Sequence, residues 1–336
     1  SVATEQGYDA AEFVRQVCRK AGLPTTAWED EATILQTFET ATTAGDLDAQ
    51  AIGTAAETAA LVSDKELKQM AATIRCDIIE MICTAAAGHP GGSLSSADIV
   101  TALYFRMMRI DPQNPQWPDR DRFILSKGHA CPVWYAALAE RGYFDKSHLG
   151  TLRQLNSILQ GHPDMHKTPG IDMTAGSLGH GFPAGAGMAL SGKLQKKDYH
   201  VWVVIGDGES QEGSIWEAAM SSARWKLDNL TVIMDCNNLQ NDNYVDQTIP
   251  MEPIADKWRA FNWNVMEIDG HDMAAVVEAL ETAKKVKNEP TIILARTVKG
   301  KGVSYMENVC EWHGKAPSQE QAQTALNEIR RCNSES

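Results

Sequence analysis

Two apolar runs in the sequence end on groups that could hold a cation. Residues 201–205 lead straight into Gly206-Asp207-Gly208, and a later run ends at Asp235-Cys236-Asn237. If both runs are neighbouring parallel strands, a carboxylate and an amide oxygen thirty positions apart (237 − 207) meet outside the strands' carboxyl ends, where open α/β sheets bind ligands. Mg2+ fits such a set, because it prefers oxygen ligands in an octahedron and usually keeps phosphate oxygens and water among them. The glycines flanking Asp207 would let backbone approach a phosphate, and a following helix would direct N–H groups at its charge. A tight turn also explains a glycine beside a strand end, and on spacing alone that plainer reading stays ahead.

Four of the nine histidines, His89, His129, His162 and His313, adjoin glycine in loops between predicted elements; His148, His166, His180, His200 and His271 have weaker settings. A lone loop histidine is usually only solvated, but polar loops at one edge of a parallel sheet can converge on one site. Imidazoles, neutral or protonated, give and take protons near pH 7.

The elements that must position these groups follow from hydrophobic spacing. From Ser63 the segment DKELKQMAATIRCDIIEMICTAAA has helical periodicity with Ser63 or Asp64 as cap; GHPGGS breaks it, and a second helix is predicted over about residues 95–108. Beyond, short apolar runs (RFILS, YHVWVVIGDG, NLTVIMD, NVMEID, PTIILAR) alternate with helical stretches. That alternation predicts βαβ units, hence an α/β fold with a mostly parallel sheet covered by helices on both faces. Residues 1–60 are acidic and rich in Ala and Thr, with apolar clusters only at Phe13, Val14, Val17 and at Ile34, Leu35, Phe38. They read as a small N-terminal helical extension, a solvated linker being the alternative, so the chain divides into 1–60 and 61–336. Its last stretch, SQEQAQTALNEIRRCNSES, reads as one polar helix and a frayed tail.

With 336 residues, 43% hydrophobic and 22% charged, the chain can bury one large or two ordinary cores and is not disordered. A formal net charge of −13 makes nucleic acid and membrane poor partners, so an anionic ligand must be met by local groups. Seven cysteines without a C-x-x-C pair suggest reduced thiols and a cytoplasmic location. The N-terminus lacks the pattern of a secretory leader, and no apolar run reaches the ~18 residues of a membrane span.

The segment GDGESQEGSIWEA through DCNN resembles the thiamine diphosphate signature, in which GDG is followed about thirty residues later by Asn. GHPGGS, LSKGHA, QGHPD, TAGSLGHG and WHGKAP add five ordered motifs, and over residues 63–317 the chain resembles transketolase. The resemblance implies a thiamine diphosphate-binding fold in which Asp207, Asn237 and the Leu239 carbonyl hold Mg2+ (or Ca2+), and the cation holds the cofactor's diphosphate. It places Gly208 in the same pocket, and Gly176 and Leu178 on the aminopyrimidine side. His89 and His313 would lie near the diphosphate and the reacting carbons, with His129 and His162 reaching the sugar's carbonyl and first hydroxyl. Glu212 and Glu217 match carboxylates that meet at the dimer contact and share protons between sites; an acidic first turn favoured by the helix dipole is their plain alternative. The implied reaction moves a two-carbon glycolaldehyde unit from a ketose phosphate to an aldose, the cofactor serving as electron sink.

Transketolases of ordinary length continue into a pyrimidine-binding domain and a C-terminal domain, which carry the cofactor-activating glutamate and the phosphate-binding arginines. The expectation is therefore the N-terminal subunit of a split transketolase. A C-terminal subunit would complete it, as a heterotetramer with two copies of each chain if the family's symmetry holds. Asn241 stands where an apolar residue usually packs on the cofactor, Ser177 and His180 replace the more usual Pro and Gln, and residues 1–60 have no counterpart in the family. Specialised transketolases for modified sugars share this pattern. The competing readings are a 1-deoxyxylulose-5-phosphate synthase, the α subunit of a 2-oxo acid dehydrogenase, and a regulatory paralogue. LSKGHA with WHGKAP favours transketolase over the first two, and intact Asp207, Asn237 and the motif histidines speak against the third.

Overall fold

The structure is a computed structural model that describes residues 62–241 and 243–334. The helical extension expected over residues 1–60 lies outside the described residues. Along the chain, α1 (Asp64–Ala85) leads to α2 (Pro90–Ser95) and α3 (Ala97–Ala102), which runs on as a π-helical turn. There follow β1 (Arg122–Leu125), α4 (Cys131–Glu140), α5 (Gly181–Leu194), β2 (Val201–Gly206), α6 (Gly213–Arg224) and β3 (Leu230–Cys236). The last elements are α7 (Val245–Thr248), α8 (Ile254–Ala260), β4 (Asn264–Asp269), α9 (Met273–Ala283), β5 (Thr291–Arg296) and α10 (Gln319–Ser334).

The strands form one sheet in the order β1-β2-β3-β5-β4, and every pairing is parallel. Successive strand residues point to opposite faces, so the apolar runs feed two cores. Phe123, Trp202, Val204 and Ile293 pack with α1, α3, α4, α9 and α10, whereas Ile124, Val203, Met234 and Leu294 pack with α5, α6 and α8. Burial on both faces explains why the inner strands β2 and β3 are mostly apolar and buried at every position, while the edge strand β4 is only partly buried. No helix among the described residues is long and apolar enough to cross a membrane.

Helix α1 starts where its cap predicts: Glu66 N–H donates to Ser63 Oγ at 3.3 Å, and Ser63 N–H donates to Glu66 Oε2 at 2.8 Å. Two local expectations are corrected. GHPGGS is not merely a breaker, since Pro90 opens α2, a first-turn position where its missing N–H costs nothing. The C-terminal helix α10 is amphipathic rather than polar: Ala322, Ala325, Leu326 and Ile329 are buried in the same core as α1.

Candidate active site

The register that pairs Gly206 with Asp235 brings the ends of β2 and β3 side by side. Asp207 Oδ2 accepts the Asn238 N–H at 2.6 Å and its Oδ1 accepts the Gly208 N–H at 2.8 Å. Asn237 turns its Nδ2 inward to Asp235 Oδ2 (2.9 Å), while its Oδ1 accepts the Leu239 N–H (3.1 Å). The Leu239 carbonyl accepts from Lys299 Nζ at 2.8 Å. Asp207, Asn237 and Leu239 thus line one cavity of about 280 Å³, together with Gly208, Leu178, Glu212, Asn241, His129 and His313. The expected helix N-terminus is absent from the strand end: a 3-10 turn, Gly208–Gln211, intervenes, and α6 begins only at Gly213 with Glu212 as its cap.

Beneath this cavity lies a charged network that sequence reasoning missed. Asp235, fully buried, accepts from Lys127 Nζ, from Thr297 Oγ1, and from Ser95 Oγ at 2.6 Å. Burial alone would raise its carboxyl, but the Lys127 ammonium outweighs that and holds it below the usual range. Asp207 has no such partner, so burial and the Asp235 charge push it up to about 6. Lys299, also buried, donates to Gln240 O (3.2 Å) and meets His313 Nδ1 (2.7 Å). Burial and Lys127 bring it down to about 8. Two buried ammoniums therefore line a crevice of a chain whose net charge is −13. Glu209 was also missed; it accepts from Ser126 Oγ (2.5 Å), Gly179 N–H (2.9 Å) and Gly206 N–H (3.1 Å), tying three loops together. The signal available for Lys127 was its place inside LSKGHA; Lys299 and Asp235 carried none in their spacing.

The motif histidines cluster. Ring centroids of His89 and His129 are 5.2 Å apart, of His89 and His313 5.5 Å, and of His129 and His313 5.0 Å, the last pair stacked. His89 caps α2, and Gly91 lets that helix close on the His313 loop, because a Cβ there would lie 2.9 Å from Trp312 O. His162 stands beside Gly176, whose Cβ position is 3.6 Å from the imidazole Cγ. Burial leads in depressing all four: His89 to about 4, His313 to about 3, His129 well below the ordinary value and His162 more mildly, with neighbouring cations adding to it. Sequence left neutral and protonated forms open; here the neutral form prevails at pH 7, with one N–H donor and one acceptor per ring. Of the others, His271 accepts the Val298 N–H (2.9 Å) and faces Asp98 (2.8 Å), while His200 is buried against Thr231 Oγ1 (2.8 Å).

Glu212 and Glu217 are exposed and line a second, outer cavity of about 510 Å³ with Ser177, Leu178, His180 and Ser214. Among the described residues, no three His, Cys, Asp or Glu side chains gather as a metal site. The oxygen set at the strand ends contains one carboxylate, one amide and one carbonyl, which suits a hard cation whose remaining ligands are phosphate and water.

An open parallel sheet that collects its polar loops at the carboxyl edge belongs to the ligand-binding α/β proteins. Comparison with known proteins then gives the family: residues 66–330 match the transketolase, thiamine diphosphate binding domain, and the chain belongs to that family. Residues 1–43 match a second family model, AMMECR1. The chain is 46% identical to the 6-deoxy-6-sulfo-D-fructose transketolase subunit SqwG of Clostridium sp. (strain MSTE9), over 79% of its own length and 97% of that relative. It is 40% identical to an apulose-4-phosphate transketolase subunit of Phocaeicola vulgatus, covering 81% and 94% of the two chains. Against the transketolase of Campylobacter jejuni the TM-score is 0.75 at 33% identity, over 79% of this chain and 42% of that one. The chain thus spans about two fifths of the solved transketolase, but nearly all of the two subunits.

Proposed function

We propose that this chain is the diphosphate-binding subunit of a two-chain transketolase, moving a two-carbon ketol unit from a ketose phosphate to an aldose. The observation that carries the reading is the meeting of Asp207, Asn237 and Leu239 with Lys299, His129 and His313 in one crevice of a thiamine diphosphate binding domain. The donor chemistry fits a Mg2+ ion (or Ca2+) and a diphosphate: oxygens for the metal, buried ammoniums for the phosphates. Asp207, Asn237 and the Leu239 carbonyl would hold the cation; Gly208, Lys299, His129, His313 and Glu212, which line the same cavity, would face the cofactor, its diphosphate against Gly208 and Lys299, and Leu178, with Gly176 beside His162, would meet the aminopyrimidine.

Thiamine diphosphate, when bound, supplies the electron sink that carbon–carbon cleavage beside a carbonyl requires. The chain's own residues orient the substrate and move its protons. His89, His129, His162 and His313 are uncharged; His89, His129 and His162 can each accept a hydroxyl proton through one ring nitrogen and donate from the other, whereas His313, whose Nδ1 accepts from Lys299 Nζ, presents its Nε2–H as a donor. Glu212 and Glu217, on the open face beside His180, suit a contact with a second copy through which protons pass between sites. A C-terminal subunit supplies the pyrimidine-binding domain, in a heterotetramer of two copies of each chain. Both relatives named above act on modified sugars by their names, so a specialised ketose belongs among the donors to be tried. The free cysteines among the described residues agree with a cytoplasmic location.

The test is reconstitution. The chain is mixed with the product of the neighbouring gene, Mg2+ and thiamine diphosphate, and ketol transfer is assayed from xylulose 5-phosphate and from 6-deoxy-6-sulfofructose. Transfer by the mixture and not by the chain alone is expected. Release of CO2 from pyruvate would reassign the reaction class, and turnover by the chain alone would remove the partner requirement.

A further inference from the structure

Arg153 is unused in the chemistry above, yet its backbone is held at φ +60°, a left-handed conformation that residues with a Cβ adopt at a cost. Its N–H donates to Leu159 O at 2.9 Å, closing a short loop that returns the chain to Gly161 and His162. There the guanidinium lies over Gly161. A Cβ at that glycine would sit 3.0 Å from Cζ, 3.2 Å from Nη2 and 3.3 Å from Nε, an approach that glycine permits. Nη2 also reaches the Gly161 carbonyl at 3.4 Å. From the other side α4 holds the same turn: Tyr135 OH donates to Gln160 O (3.0 Å) and His162 O (3.1 Å), and Cys131 Sγ to Gly161 O (3.4 Å). The turn that presents His162 is therefore clamped between a helix and a cation.

That cation acts on two imidazoles. After burial, Arg153 is the charge that holds His162 down, and it is the first of the charges acting on His89, ahead of His162 and Lys299. His129 and His313, themselves depressed, complete the ring of groups around His89.

We propose that Arg153 is a positioning residue: its guanidinium sets the Gly161–His162 turn and places a fixed positive charge facing His162 and His89, the two imidazoles it leaves open to a substrate hydroxyl. The clause about substrate rests on the ketol-transfer reading; the effect on the imidazoles does not. The experiment separates the two. Histidine Cε1–H resonances of the full chain are titrated by NMR in wild type, Arg153→Met and Arg153→Lys. In Arg153→Met, His162 and His89 are expected to titrate roughly a few tenths of a unit higher, because both face solvent in part and the interaction is screened. Arg153→Lys should restore most of that difference, and His200, remote from the loop, should not move.

Gly161→Ala provides a second variant that keeps the charge and pushes it away; it should raise His162 with Arg153 intact. Unchanged His162 and His89 titrations in a folded Arg153→Met, or equal shifts at His200, would overturn the proposal, and so would an unmoved His162 in Gly161→Ala. In the reconstituted complex, the acid limb of kcat/KM should move to higher pH in Arg153→Met and return in Arg153→Lys. A wild-type complex without ketol transfer would sink the functional reading while leaving the titration to decide the role of Arg153.

Discussion

Asp207 and Asp235 show how two carboxylates, one just past the end of β2 and one within β3, acquire different tasks. Asp235 is satisfied by Lys127 and hydroxyls, which makes it a support for the Asn237 amide. Asp207 keeps only backbone donors, so its charge is the one left for a cation. Asp207→Ala should therefore lose Mg2+-dependent thiamine diphosphate binding by at least about 100-fold in calorimetry, while circular dichroism stays as in wild type. Asp235→Asn is expected to act on stability first. It leaves the Lys127 ammonium buried without its counter-charge, at about 3–5 kcal/mol by denaturant unfolding. Equal loss of cofactor binding and no loss of stability in Asp235→Asn would show that the pair is not the support described. Asp207 was readable from sequence because a polar residue between glycines at a strand end is a local pattern. The Lys127–Asp235 pair was not, because its members are 108 positions apart and nothing local marks either as the other's counter-charge.

Among the elements, α2 is where local preference and tertiary packing disagree. Pro90, Gly91 and Gly92 read as a break, yet Gly91 lets this turn of helix press on Trp312 O and on the Lys299 side chain. Gly91→Ala puts a Cβ 2.9 Å from that carbonyl and 3.0 Å from Lys299 Cγ. It should weaken cofactor binding more than it lowers stability, because the displaced groups are those that face the diphosphate pocket. Ser63→Ala is the opposite case. Loss of the capping box should cost about 1 kcal/mol and a few degrees of Tm, with cofactor affinity unchanged, as read by thermal melts and calorimetry. The strands were legible because both faces of the sheet are covered, which makes their runs mostly apolar. The insertion of β5 between β3 and β4 was not, since each run carries the same pattern wherever it pairs.

For the molecule as a whole, buried neutral histidines make stability depend on pH. His89, His313 and His200 have folded values of about 4, 3 and 3, below that of an unfolded histidine. Their contribution is present above about pH 6.5 and is lost as pH falls, because the unfolded chain takes up protons first. Asp77 and Asp207 work in the other direction: with folded values of about 7 and 6, they bind protons in the native state and are relieved on acidification. Melting temperature should accordingly change little between pH 7 and 6 and fall below that. His200→Gln, which removes one histidine remote from the cofactor crevice, should flatten the acid slope. A slope unaltered by that substitution would assign the acid loss to other groups.

The sequence by itself determined the alternation of strands and helices, the placing of Asp207 and Asn237 at strand ends, and membership of a thiamine diphosphate family, because periodicity and short motifs are local properties. Tertiary structure alone decided which carboxylate stays available for a cation, which histidines are kept neutral, and that Lys299 and Arg153 stand beside them. Those outcomes depend on which charges lose their water and which neighbour they find there, and both are set by contacts between residues far apart in the chain.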